Sequence, residues 1–438
     1  MAGIAPFRAL RYDAAKLGGD TALSQVLAPP YDVLPPEDAA ARRAAHAASI
    51  VRVTLPDGEG DARFAGAADC LARWRADGTL ARDERPALYY YTQLCEGHER
   101  RGFFCRVRLA PYEKREVLPH ERTHAGPKAE RLMLYRACRV QPEPLFFLYR
   151  DAGSGLLDRL EAAARGDASG GAVPPLGRAV CGGGHGGPER IDEALWRVQD
   201  PAAIAVAVRA LASRALYIAD GHHRYETSLA YEAELDAAGA PADGAHHYVL
   251  AFLTAAEDRG LVIHPTHRTL RRVGLSPAVL RAAVRARLRS DALPDGATAG
   301  DLERRLGAAP GGAVVAAYPD GSADLVHFPA APGAAPATAG LDVTRFNDDL
   351  LLGALGIGGE GKPVAEHVFY VQGAAAAVAR ARDGKAEAAF LLKPTPASAV
   401  LAVADEGGVM PQKSTFFYPK VTTGWVLNPV DPAERVEA

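Results

Sequence analysis

Positive charge is in slight deficit in this chain: 50 Lys+Arg stand against 53 Asp+Glu in 438 residues, a formal net charge of -3 with a pI near 6.5. Such a balance lacks the broad basic field that marks a duplex nucleic acid or an anionic membrane as principal partner, and leaves only local basic sites. Cysteine is also sparse. Cys70, Cys95, Cys105, Cys138 and Cys181 are odd in number, widely spaced and free of any C-x-x-C pair. That pattern argues against a disulfide framework and a thiolate zinc site, and suits thiols in a reducing cytoplasm. Long apolar runs are missing too: none approaches the roughly 18–20 residues that cross a bilayer. MAGIAPFRALRYD sets Arg8, Arg11 and Asp13 into its short apolar stretch, without a signal-peptide core or cleavage site. The expected location is the cytoplasm. What is present is 48% hydrophobic content over a length that predicts two or three domains, which excludes a mainly disordered, collagenous or coiled-coil chain.

Short apolar runs alternate with turn signals along the first part of the chain: IAPFRALRY, APPYDVLPP and SIVRVTLP. Asp61 to Gly78 then reads as a helix carrying Phe64, Leu71 and Trp74. ALYYYTQLC and GFFCRVRLA, joined by polar EGHERR, have the pattern of a hairpin. Lys128 to Val140 reads as a helix and PLFFLY as a buried strand. Gly166 to Gly187 is rich in breakers and is expected to be a surface loop, since CGGGHGG lacks the Lys-Ser/Thr ending of a phosphate loop. HHYVLAFLTA and GLVIHPTHRTL read as two more strands. After Leu270 come an Ala/Arg-rich helix, a second near Asp301 to Leu306, the strand pair AVVAAYP and ADLVHFP, and the low-complexity stretch AAPGAAPATAG. DVTRFNDDLLLGALGI reads as helical, HVFYVQG and AEAAFLLKP as strands. Interleaved strands and helices make the class mixed α and β.

The segment RALYIADGHHRYETSLAYEAELDAAG carries the most chemistry. An apolar strand, Ala215 to Ala219, stops at Asp220-Gly221, and a helix starts at once and runs to Gly239 as its C-terminal cap. A helix N-terminus offers unpaired N–H groups and the positive end of a dipole, which together favour an anion. His222, His223 and Arg224 fall in that first turn, where cations are unfavourable for the helix alone. A ligand phosphate reverses that penalty: Arg224 can grip it through two N–H groups, and His223 can donate or lose a proton near neutral pH. Asp220 can cap the helix or hold Mg²⁺ beside a nucleotide. The plainer alternative is a turn and cap with solvated histidines.

Two further clusters accompany it. LPHERTHAGPKAERLML gathers His120, Glu121, Arg122, His124, Lys128 and Arg131. Pro119 and Gly126-Pro127 argue for a loop there rather than a zinc-binding H-E-x-x-H helix, and the cluster reads as a basic loop over a polyanion or as a solvated charge run. MPQKSTFFYPK sets Lys413 and Lys420 around Ser414, Thr415 and an aromatic run, a mixture suited to phosphate and base contacts or to an edge strand with snorkelling lysines. APPYDV places Asp32 after a Pro-Pro turn, and HPTHR places His267 and Arg268 after a strand.

IAPFRALRYD, APPYDV, LPHERTHAGPKAERL, IADGHHRYET, IHPTHR and MPQKSTFFYPK occur in an order that resembles the prokaryotic family catalogued as domain of unknown function 1015, from about residue 3 to residue 427. DGHHRY is also similar to the Gly-Cys-His-Arg motif of sulfiredoxins, to the Gly-Glu-Arg-Arg box of ParB-type proteins, and above all to the Asp-Gly-His-His-Arg of free serine kinases on that fold. The resemblance implies an α+β protein with a ParB/sulfiredoxin-like nucleotide-binding core, insertions and a second α/β domain. It implies phosphate contacts from Gly221, His223 and Arg224, and phosphoryl transfer from ATP or ADP with Mg²⁺ to a small hydroxyl compound, free L-serine first. His222 takes the place of the sulfiredoxin cysteine, so thiol chemistry is not available. Lys128 or Lys413 would neutralise charge, with Ser414 and Thr415 near the nucleotide. Asp32 and Glu121 are the candidate bases beside His223, and Asp220 the candidate metal ligand.

On this reading the domains are 1–270, the nucleotide-binding core; 271–410, an accessory unit; and 411–438, a segment returning to the site. Two rivals remain. One is a non-catalytic nucleotide-sensing regulator that acts through the Arg271 to Met410 region. The other is a metal-dependent hydrolase built on His120, His124, His222 and His223.

Overall fold

In the computed structural model, which describes residues 3–123, 125–151, 153–166, 171–182, 190–330, 336–359 and 362–436, the chain forms two units. The first comprises Met1–Val262 with Pro419–Ala438, the second Ile263–Tyr418. Residues 263–270 and 411–418 therefore go with the second unit, whereas the sequence expectation drew its boundaries at 270 and 410.

A nine-stranded mixed sheet organises the first unit. In chain order its strands are β1 (Ile4–Ala5), β2 (Leu88–Cys95), β3 (His98–Arg108), β4 (Val117–Leu118), β5 (Leu145–Tyr149), β6 (Gly177–Cys181), β7 (Ile191–Val198), β8 (Leu216–Asp220) and β9 (Tyr248–Ala255). They lie in the order β4-β8-β5-β9-β3-β2-β7-β6, with β1 on β3. The β4/β8 and β5/β9 pairs are parallel, and the rest are antiparallel. The expected hairpin is β2–β3, closed by Cys95 opposite His98. PLFFLY is the fully buried β5, whose continuous apolar run fits a strand covered on both faces. The helix read from Asp61 is α1 (Ala62–Ala76), with Phe64, Leu71 and Trp74 buried.

Two expectations need correction here. Part of the Gly166–Gly187 loop is the edge strand β6, whose alternating burial matches its pairing with β7. Residues 167–170 and most of CGGGHGG lie outside the described residues. The loop expected before Lys128 also ends early, because α2 begins at Ala125 and runs to Cys138. Gly126-Pro127 then sits in the first helical turn, where the missing N–H of proline owes no intrahelical bond. Helices α3 (Leu156–Arg165) and α4 (Pro201–Ala212) pack on the sheet through Leu156, Leu157, Leu160, Ala207 and Leu211. Helix α5 (His222–Ala237) follows β8 with one residue between, and Tyr225 enters the same core.

The second unit is built on a six-stranded antiparallel sheet: β10 (Thr266–Leu270), β11 (Ser290–Leu293), β12 (Ala313–Ala317), β13 (Ala323–His327), β14 (Val368–Gln372) and β15 (Ala388–Leu392), in the order β11-β13-β12-β15-β10-β14. GLVIHPTHRTL, expected as one strand, is split at Pro265, which cannot donate to a ladder. Helices Pro277–Arg287 and Ala299–Ala308 follow the sequence reading, the second closed by a Thr298/Asp301 capping box. DVTRFNDDLLLGALGI is helical, wound as a wide turn of π type over Phe346–Ala354.

Candidate functional site

The apolar run of β8 ends in an irregularity that aims the chain. Its register against β5 shifts between Ile218 and Asp220, and Gly221 follows with φ +99°. A side chain there would be strained by that φ, and its Cβ would lie 3.2 Å from the Arg224 guanidinium. Glycine is therefore required twice over. Gly221 provides no side-chain cap to the first turn of α5.

Asp220 is the electrostatic centre of this turn. One carboxylate oxygen, Oδ2, pairs with Arg224 Nη2 at 2.7 Å, and the other, Oδ1, accepts from the Lys420 ammonium. Burial alone would raise the Asp220 pKa, but Lys420 and Arg224 outweigh it and hold the carboxyl well below the usual range. Arg224 is itself buried and also donates to the carbonyl of Pro144. Burial disfavours its charge, yet Asp220, Glu143 and Asp32 more than compensate, so it stays protonated. His222 is buried as well. Its Nε2 accepts from the backbone N–H of His120 at 3.3 Å, and the two rings meet edge to face with centroids 4.7 Å apart. Burial first, and the neighbouring His120 ring second, push His222 far below the ordinary histidine value; burial takes His120 down to about 4. Both rings are neutral at physiological pH. His223 is the half-exposed histidine of the turn.

The sequence clusters close around this helix. Thr123 Oγ1 and Lys128 Nζ reach Glu226 Oε2 of α5 at 2.6 and 2.7 Å, which ties Thr123 and the first turn of α2 to the first two turns of α5. The APPYDV turn arrives through Glu143: the N–H of Tyr31 donates to Glu143 Oε1 at 3.0 Å, and Arg131 lies 3.4 Å from Oε2 with its guanidinium 4.1 Å from the Tyr31 ring centroid. Asp32, next in sequence, is exposed and within the field of Arg224. Glu121 is partly buried on the same loop as His120. His124 lies outside the described residues.

The C-terminal strap fixes Lys420. Gln93 Nε2 donates to the Lys420 carbonyl at 3.0 Å, while Thr422 Oγ1 and Trp425 Nε1 donate to the buried Glu193 at 2.5 and 2.7 Å. Backbone bridges Ala28↔Thr423 and Leu10↔Leu427 hold the strap along its length. The ammonium is thus delivered to Asp220 by a segment anchored through the buried side chains of Gln93 on β2, Glu193 on β7, and Thr422 and Trp425 of the strap itself.

Asp32, Glu121, Lys128, Asp220, Gly221, His222, His223 and Arg224 accordingly belong to one unit, and of these Lys128, Asp220, His222 and Arg224 are tied to the turn and its helix by the contacts above. Lys413, Ser414 and Thr415 belong to the other. There the Lys413 carbonyl accepts from Arg268 Nη2 at 3.1 Å and the Ser414 carbonyl accepts from Thr395 Oγ1 at 3.1 Å. HPTHR and MPQKST, two of the sequence motifs, therefore meet each other within the second unit. His267 there is buried, accepts from Leu392 N–H at 3.2 Å and is pushed down to about 4 by burial and then Arg268. Of the two lysines in MPQKSTFFYPK, Lys420 is the one at Asp220, and the sequence reading had favoured Lys413. Glu143 was missed. Its signal was available, an acidic residue fixed between Pro142 and Pro144 directly before a fully apolar strand. A cavity of about 910 Å³ bordered by Arg8, Arg82, Arg106, Arg209 and Arg435 shares no residue with this site, so the candidate site rests on converging polar groups and not on volume.

Solved structures similar to this chain include a free serine kinase in complex with AMP, 11% identical, covering 76% of this chain and 92% of its own at TM-score 0.34. A variant of a free serine kinase in complex with ADP covers the same shares at 11% identity and TM-score 0.35. A conserved hypothetical protein from Pyrococcus furiosus is 11% identical and covers 72% of this chain and 90% of its own at TM-score 0.32. Likeness at this level carries no argument about activity. The chain matches no curated protein. Residues 4–344 match the family described as "Protein of unknown function (DUF1015)", and the chain belongs to that family.

Proposed function

We propose that the first unit binds ATP or ADP with its phosphates at the N-terminus of α5 and transfers a phosphoryl group to a small hydroxyl metabolite, free L-serine first. The observation that carries this reading is the charge balance at the uncapped turn: two cations, Lys420 and Arg224, share one carboxylate, Asp220, at the positive end of a helix dipole. A helix N-terminus favours an anion, and cations that share a single carboxylate can turn to phosphate oxygens brought there. Arg224 acts by holding Asp220 and the turn, His223 and Lys128 face the phosphates, and Lys420 moves between Asp220 and phosphate oxygens. Asp32 and Glu121 are the carboxylates proposed to take the acceptor's proton. Mg²⁺, when bound, neutralises the phosphates. Asp220 is the residue that would hold it, and its ion pairs mean that it takes the cation only with phosphate present. The motif similarity of DGHHR to free serine kinases supports serine as acceptor.

The test is direct: labelled ATP and ADP are incubated with the protein and a panel of amino acids and small alcohols, and phosphorylated product is read out. Transfer that is lost in Lys420→Ala supports the reading; nucleotide binding without transfer to any acceptor points to a nucleotide sensor. That second reading is favoured by one feature, the burial of Arg224 in purely internal contacts.

A further inference from the structure

Helix α5 carries a second polar cluster at its other end. Glu232 and Asp236, four residues apart, share a face of its last turns. The single 3₁₀ turn Ala245–His247, which leads into β9, brings two adjacent histidines against them. His246 Nε2 lies 3.1 Å from Asp236 Oδ1, and His247 Nε2 lies 3.6 Å from the same oxygen. One donor atom from each of Asp236, His246 and His247 falls within 4.8 Å of the other two.

The hydrogen-bond inventory leaves one ring nitrogen of each histidine, His246 Nδ1 and His247 Nε2, buried without a partner. His247 Nδ1 lies 2.7 Å from Glu232 Oε1. A carboxylate only accepts, so Nδ1 donates there, and Nε2 is the ring atom turned towards Asp236. That Nε2 is buried without a hydrogen-bond partner. It faces Asp236 Oδ1 at 3.6 Å, too long for a hydrogen bond. His246 is almost fully buried, and its ring occupies space that only glycine leaves free at position 244: a Cβ there would come within 2.4 Å of it.

We propose that Asp236, His246 and His247 bind a divalent first-row transition ion, zinc foremost. Zinc holds imidazole and carboxylate ligands at about 2.0–2.2 Å in a tetrahedron, whose edges are then about 3.3 Å. The observed 3.1 and 3.6 Å separations straddle that value. Two imidazoles with one carboxylate are a borderline donor set that suits zinc, cobalt, nickel or copper rather than Mg²⁺. Glu232 orients His247 from outside the coordination shell, as carboxylates commonly do for metal-bound histidine. Asp236 is half-exposed, which leaves the fourth position to water. The ion would pin the C-terminal turn of α5 to the start of β9, and the inference is independent of the nucleotide reading.

The test uses the full-length, tag-free protein stripped with a chelator. Co²⁺ titration should give one equivalent of visible d–d absorption, bleached by Zn²⁺. His247→Gln and Asp236→Asn should each weaken Co²⁺ binding by tenfold or more, with circular dichroism of the stripped proteins unchanged, and Glu232→Gln should weaken it about tenfold. Absence of uptake by the parent protein, or uptake that His247→Gln and Asp236→Asn both retain, overturns the proposal.

Discussion

Asp220 is the residue on which the candidate site turns, because it is the shared counter-charge of two cations. Replacing it by Asn leaves Arg224 buried without its partner, and the cost of breaking a buried pair is about 3–5 kcal/mol. Asp220→Asn is therefore expected to lower the urea midpoint sharply. Lys420→Met should do so less, since Lys420 is partly exposed and Asp220 keeps Arg224. Equal losses in the two variants would mean that Lys420 and not Arg224 is the principal partner. Histidine burial makes a separate prediction. His120 and His267 are both held at about 4, and burial pushes His222 well down too, against about 6.5 in an unfolded chain. The folded form refuses protons that the unfolded chain accepts, so stability is complete above pH 6.5 and falls as pH drops towards 4. Urea midpoints measured between pH 7 and pH 4.5 should decline, and the decline should be shallower in His267→Gln; a variant with an unchanged slope would remove that histidine from the account.

At the scale of elements, the site is a strand that ends in a shifted register, a glycine that tolerates φ +99° and a helix that starts uncapped. Gly221→Ala meets both the strained φ and the Arg224 guanidinium, and roughly 1–3 kcal/mol of destabilisation is expected. Circular dichroism melts of Gly221→Ala and a control such as Gly239→Ala, also at positive φ but with open space around it, separate strain from contact. The Lys128–Glu226 tie is partly exposed and should contribute less than about 1 kcal/mol. Lys128→Ala is thus expected to leave the melting temperature nearly unchanged while lowering nucleotide affinity. This strand–turn–helix was legible in the sequence because all its signals are local: an apolar run, Asp-Gly, and a following 3.6-residue period. The start of α2 was not, since Gly126-Pro127 reads as a breaker until one knows that it occupies a first turn.

Legibility fails most clearly at the scale of the whole chain. MPQKSTFFYPK reads as one motif, yet the division between the units falls inside it, at Tyr418/Pro419. Lys413 is held among residues of the second unit, while Lys420 belongs to a strap fixed by pairings with Ala28 and Leu10, at the opposite end of the sequence. No local pattern distinguishes the two lysines; only the long-range closure does. Glu143 stands out locally between its two prolines, but its partners Tyr31 and Arg131 come from two other segments, and only the fold names them. A consequence follows for the first unit. Ending the chain after Tyr418 takes from Glu193 its Thr422 and Trp425 donors, from Gln93 the Lys420 carbonyl, and from buried Arg106 its Asn428 acceptor. Limited proteolysis of that truncated protein should cut within the first unit far faster than in the full chain.

The central claim is that nucleotide phosphates bind at the start of α5. Isothermal titration of the full-length protein with ADP and ATP in the presence of Mg²⁺ tests it most directly. The account predicts saturable binding that weakens at least tenfold in Lys420→Ala, with the circular dichroism spectrum preserved. Binding of equal strength in the two proteins, or none in the parent, would contradict it.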